Sequence, residues 1–337
     1  MVKKLKILII PLLFLFFNVN AQNYYRYQRI INSIDEDIIS NNLKSALAKA
    51  DILYNDYDFI YARHCIKALQ ISCELNDTLK AEIWLKKSFL QGVPKWIIYH
   101  NEITKKATTY KNTQQVLLDY SVLHQQHLSK LNLSVRKTVD SLRILDKKYT
   151  EKVNSHKNIL KLIIYNLQWR RNSKKQVKVL KPLIAKYGFP GEKLIGFVDT
   201  IYNSSNLRKG QWHSYIDKSN AEVMLTHYFS IRRKDLNKLL LPNVKSGYLN
   251  PYDYAGYNDF LGQWGKRRYN NFYYNVWHTD KDKSHLIDIE KRRSEIGLET
   301  RERQKEKRTI FLKRMKQKEL NNTIIIENFK EAINYSY

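Results

Sequence analysis

Between Asp58 and Gln91 the apolar residues recur every three to four positions in two runs, broken once at Asn76-Asp77 and closed by Gly92 and Pro94. Phe59, Ala62, Ile66, Leu69 and Cys73 share one face of the first run; Ala81, Trp84, Leu85 and Phe89 share one face of the second. That spacing dictates two amphipathic helices. Asn-Asp supplies a turn and a cap for the second, and glycine followed by proline stops it. The result is a helical hairpin of about 34 residues. Alone it leaves its apolar face uncovered, so neighbouring helices have to stack on it. Leu43, Ala46, Leu47, Ala50 and Leu53 form such a helix before it. The pattern from Val116 to Leu133, with Leu117, Ser121, His124, Leu128 and Leu131 on one side, continues after it.

The hairpin has the period of a tetratricopeptide repeat and resembles one in its second helix, where Ala81, Leu85, Ser88 and Pro94 stand near the small, large, small and proline positions. The first helix lacks the expected Trp and Leu-Gly pair, so the resemblance is one of architecture. Ten glycines and six prolines in 337 residues are too few for a loop-rich or all-β chain. The expected fold is therefore all-α, helical-hairpin repeats followed by a helical domain.

Lys3, Lys4 and Lys6 precede an apolar run from Ile7 to Phe17 and a small-residue site at Val19-Asn20-Ala21. This is the layout of an export signal, and the run falls short of the roughly 20 residues that span a bilayer. The expectation is cleavage between Ala21 and Gln22 and a periplasmic or extracellular protein with no transmembrane segment in the mature chain. Cys65 and Cys73 stand eight residues apart on one helix, a separation of about 12 Å that a disulfide does not bridge. They are expected as small core residues.

The formal charge is +27, of which three units belong to the leader lysines. Between Ser121 and Pro190 there are 16 Lys and Arg against 3 Asp and Glu. Within that block Ile159, Leu160, Ile163, Ile164 and Leu167 form an apolar side, and Arg170, Arg171, Lys174, Lys175, Lys178 and Lys181 fall largely on one face. Clustered cations of this kind bind anions in a salt-sensitive way. Only Trp169 borders them, and no aromatics are interleaved to stack bases. The plain reading is a solvated face; as a binding surface it fits an acidic polymer or a membrane surface better than nucleic acid. His124 and His127 at i and i+3 point two imidazoles one way, but no third ligand stands nearby, so no metal and no cofactor is expected.

Eight of the ten glycines fall between Tyr187 and Tyr269. The stretch opens on Tyr187-Gly188-Phe189-Pro190, holds Thr226-His227, and continues through Asp259-Phe260 to Gly265 and Tyr269, with Asn270-Asn271-Phe272 after it. Arg292-Arg293 and Ile296-Gly297-Leu298 follow, and Asp146 and Tyr149 precede. In order and spacing these residues resemble the family catalogued as domain of unknown function 6624, over about Val139 to Leu298. Its members carry a Tyr-Gly-Trp-Pro turn, Gln-His and Asp-Arg pairs, a Gly-to-Tyr-Gly-Thr-Gln segment, and Arg-Arg ahead of Ile-Gly-Leu. The resemblance implies an exported helical domain and carries no established activity. Here Thr226, Phe260 and Arg268 stand at polar positions of the pattern, and Gly-Thr-Gln is lost.

The chain divides into a leader (1–21), a tetratricopeptide-like helical region (22–121), a basic helical connector (122–186), the remainder of the family-like domain (187–298) and a charged helical tail (299–337). In that tail Glu299 with Arg303 and Glu302 with Lys305 are spaced to pair along an exposed helix. The leading expectation is an exported, soluble interaction or scaffold protein whose partner is another protein. The alternatives are an envelope-associated hydrolase using His227 and Asp259 as acid–base pair, and an anion-binding protein using the face from Arg170 to Lys181. Tyr187 and Tyr269 are the candidate aromatic contacts.

Overall fold

The computed structural model describes residues 22–155, 158–196, 220–231, 236–263, 274 and 286–316. The leader over 1–21, Gly265, Arg268, Tyr269, Asn270-Asn271-Phe272 and the end of the tail, 317–337, lie outside these. Among the described residues every regular element is helical, and none is long and apolar enough to cross a membrane.

The first half is built from two helical pairs. α1 (Tyr24–Ile39) packs along α2 (Leu43–Asp56), and α3 (Ala62–Glu74) along α4 (Thr78–Leu90). Side chains of Asn23, Asn42 and Asp77 accept from backbone N–H groups that the first turns of α1, α2 and α4 leave without helical partners. The connections between paired helices turn at Asn41 and Asn76, with φ of 57° and 54°, a left-handed conformation asparagine tolerates. Trp84, Leu85 and Phe89 of α4 are fully buried with Ile66, Leu69 and Cys73 of α3. Cys65 and Cys73 are free and buried, and burial pushes the Cys73 thiol up to about 12, which keeps it inert.

Short helical segments lead to α5 (Tyr120–Lys130). Here the inward residues are Leu123 and His127, whereas Ser121 faces solvent. The break at Asp119 between Gln114–Leu118 and α5 rotates the face away from the one that an unbroken helix presents. His127 is wedged beside Gly92: a Cβ built on Gly92 would stand 2.3 Å from its Nε2, and Gly92 has a φ of 84°. Gly92→Ala is therefore expected to lose about 2–3 kcal/mol, from both the clash and the left-handed backbone. In a denaturant titration, adding His127→Ala should restore only the part due to the clash.

The second core begins at Val135 and is separate from the first in its membership. α6 (Leu133–Ser155) and α7 (Ile159–Tyr187) form a long hairpin. Its inner face supplies Val135, Val139, Val177, Leu180 and Ile184 to this core, so the stretch expected as a connector is a wall of the second unit. α8 (Asn220–Ile231), α9 (Asn237–Lys245) and α10 (Pro251–Gln263) complete it, with Met224, Leu225, Phe229, Tyr254 and Tyr257 inside. Gly188, with φ of 91°, ends α7, and the Phe189 N–H donates to Asn243 Oδ1 at 2.6 Å.

α11 (Leu286–Glu295) and α12 (Arg301–Lys316) bring the chain back to α1. Arg29 and Asn32 donate to the carbonyls of Ser294 and Gly297, and Arg303 and Lys307 pair with Glu36. The expected pairing of Glu299 with Arg303 along an exposed helix is replaced by other pairs, those to Glu36 being long-range. Glu299 meets Lys307 at 2.5 Å, Arg303 turns to Glu36 and Glu306, and Lys307 is fully buried. The cause is that α12 has α1 beside it, and a buried cation takes the carboxylates that face it.

Candidate functional site

His227 lies on α8 and is 6% exposed. Its Nδ1 meets a carboxylate, but that of Asp146 on α6, at 2.8 Å and 81 residues away in sequence. Asp259 is fully buried elsewhere and accepts the Tyr274 N–H at 2.8 Å. The structure thus brings His227 to Asp146, while Asp259 holds the Tyr274 N–H.

Asp146 Oδ2 also accepts from Arg143 Nη1 at 2.6 Å, and the edge of Trp169 packs on the imidazole at a centroid distance of 5.4 Å. A carboxylate beside Nδ1 favours the tautomer protonated there and leaves Nε2 as the basic nitrogen. That is the orientation a general base requires. A hydrolase of the serine or threonine type also needs a free hydroxyl in reach. Three hydroxyls on neighbouring turns are committed: Thr150 donates to Asp146 O, Ser173 to Trp169 O and Thr226 to Glu222 O. A groove of about 560 Å³ is lined by Lys181, Pro182, Ala185, Leu236, Lys238 and Leu239, and includes neither His227 nor Asp259. The buried Asp146–His227 pair ties α6 to α8.

The basic face is present as a surface. Arg170, Arg171, Lys174, Lys175, Lys178 and Lys181 are all exposed, and none makes an ion pair with a described carboxylate. Trp169, Ser173, Gln176, Val177, Leu180 and Ile184 take the opposite, inward face of α7. Tyr187 is on the surface at the end of the helix, with the Lys186 ammonium 4.8 Å from its ring centroid. A side-chain hydrogen bond to Tyr187 raises the Lys186 ammonium above its ordinary range. His124 stacks on Tyr120 and lies 6.0 Å from His127, and the described residues contain no group of three metal-ligating side chains.

The apolar side expected over Ile159 to Leu167 does not face inward. Ile159 and Leu160 are each 72% exposed, and Ile163, Ile164 and Leu167 are also exposed. Steps of three and four residues carry this row directly into the cations, from Leu160, Ile163, Ile164 and Leu167 to Arg170, Arg171, Lys174 and Lys178. α7 thus has one outward stripe, apolar near the hairpin bend and basic closer to the core. Ile144 and Leu145 on α6 add to the exposed apolar surface. The sequence held the signal for this surface in the shared phase of the two rows. Comparison with family models, with curated proteins and with solved structures gives no match, so the chain's own geometry carries the functional reading.

Proposed function

We propose that the chain is an exported helical docking protein whose partner is met by the outward face of the α6–α7 hairpin. The observation that carries this reading is the row of large apolar side chains left exposed near the bend. Burying such groups is worth about 1.5–3 kcal/mol each when they pass fully from water to an apolar contact, and contiguous exposed apolar surface marks interaction sites. In this reading residues 1–21 direct export, and the two helical pairs of the first half, akin to tetratricopeptide hairpins, form a rigid scaffold.

The segment from about Val139 to Leu298 is proposed as a diverged member of the family catalogued as domain of unknown function 6624. The meeting of Asp146 with His227 supports this, since both are positions of that family's pattern. Lysine acylation on the native envelope fraction tests the docking role. Lys161 and Lys174 on the hairpin should lose reactivity when envelope material is added, while the exposed Lys105 and Lys111 keep theirs. Uniform reactivity with and without that material would end the proposal.

A further inference from the structure

We infer that the partner of the α6–α7 hairpin is an anionic lipid bilayer surface, into which the apolar end inserts while the cations beside it hold lipid phosphates. This rests on the docking role proposed above and gives it a partner. Beyond Asp146 on α6 and before Trp169 on α7, no described residue belongs to either core. About ten residues of each helix therefore extend past the packed body, a reach of about 15 Å. Amphipathic segments that bind bilayers bury their apolar side about 5–10 Å into the headgroup and acyl boundary, so the reach is sufficient without a membrane span.

The order of side chains along α7 matches the layers of a bilayer surface. Ile159, Leu160, Ile163, Ile164 and Leu167 come first, and the exposed Arg170, Arg171, Lys174 and Lys175 begin on the next turn. On α6, Lys152 lies over the rings of Tyr149 and Tyr165, at 5.9 and 5.7 Å from their centroids. Tyrosine and lysine with apolar stems are residues that settle at a lipid–water boundary. Residues 147–175 contain nine Lys and Arg and one acid, Glu151. Near an anionic leaflet each such cation strengthens binding about fivefold.

The same charge count argues against a second copy as the occupant. Two hairpins laid face to face would oppose cation to cation with a single carboxylate on each side to offset them. An acidic protein satisfies the charge, but the apolar row of α7 stands exposed at a projecting end, where a fluid surface closes around it most completely.

The test is vesicle co-sedimentation of the full chain, with phosphatidylcholine vesicles compared with vesicles that also contain phosphatidylglycerol. Every variant retains residues 1–21, so differences between variants read the hairpin. Binding should be at least about tenfold tighter with phosphatidylglycerol present and should weaken as salt rises. The triple substitution Ile159→Ser, Ile163→Ser and Leu167→Ser should weaken it about tenfold or more. Arg170→Glu with Lys174→Glu and Lys178→Glu should weaken it similarly and flatten its salt dependence. All six positions are exposed, and an unchanged circular dichroism melt verifies folding. Vesicle binding that these substitutions leave intact overturns the inference. So does an absence of vesicle binding together with a dimer that the serine substitutions dissociate. If vesicles fail while envelope material still protects Lys161 and Lys174, the bilayer is excluded as partner and the docking role stands; if both fail, the docking role falls as well.

Discussion

Replacing Arg293 with methionine is expected to lower the unfolding free energy by about 3–5 kcal/mol, enough to unfold much of a marginally stable population. Arg293 is fully buried. Its Nε donates to Glu299 O at 2.7 Å, its Nη1 to Tyr274 O at 2.8 Å, and its Nη2 to Gln304 Oε1. Burial pulls the guanidinium below its ordinary range, and the facing Tyr252, Glu290, Asp259 and Glu299 oppose that pull. Methionine fills the volume but leaves those acceptors buried without this donor, each at a cost of about 1–3 kcal/mol. Arg293→Lys keeps the charge and loses the planar fork, so it should fall between wild type and methionine in urea midpoint. A methionine variant within about 1 kcal/mol of wild type would show that the hub does not hold the return of the chain to α1.

The arrangement around Arg293 marks where the sequence is readable and where it stops being so. Spacing and caps placed the hairpin from Asp58 to Gln91, because helix periodicity, an Asp N-cap and a Gly-Pro stop act within a few residues of one another. The all-α class follows from the same local rules applied along the chain. Contacts between distant segments follow no such local rule. Glu299 and Arg303 have the spacing of a helical pair, yet Arg303 reaches Glu36, at a sequence separation of 267 residues. The local pair is worth a few tenths of a kcal/mol on an exposed helix, so a partly buried partner on α1 outweighs it easily.

The candidate surface was half legible for a different reason. The cations from Arg170 to Lys181 and the apolar row from Ile159 to Leu167 are each recognisable as a helix face. A long apolar row suggests core, but here its phase coincides with the cations, and one helix cannot turn that stripe both inward and outward. Trp169, Ser173, Gln176 and Leu180 occupy the opposite side and settle which way it points. His227 and Asp146 were each recognisable as pattern positions. Their meeting depends on how α6 crosses α8, and helix packing angles are not encoded in the spacing of either segment.

Lys67 poses the sharpest case of a residue whose role lies wholly in tertiary structure, and it supports the second large prediction. It sits on α3 with 1% exposure, paired with the fully buried Asp35 of α1. Helical periodicity puts Ile66 inside and gives no reason to bury its neighbour. Two charges removed from water are stable there because each cancels most of the other's desolvation penalty. Lys67→Met alone should cost about 3–5 kcal/mol, because the Asp35 carboxylate then stays buried without its cation, and Asp35→Leu alone should cost a similar amount. The double variant should recover most of the loss, since two apolar side chains of suitable volume satisfy the same space without a charge to desolvate. In a double-mutant cycle read by urea unfolding, the coupling should therefore exceed about 2 kcal/mol. Additive single losses would mean that Lys67 and Asp35 are held by separate surroundings. A coupled result would assign to this pair the register in which α1 packs against α3, the same helix that anchors α12 at its other face.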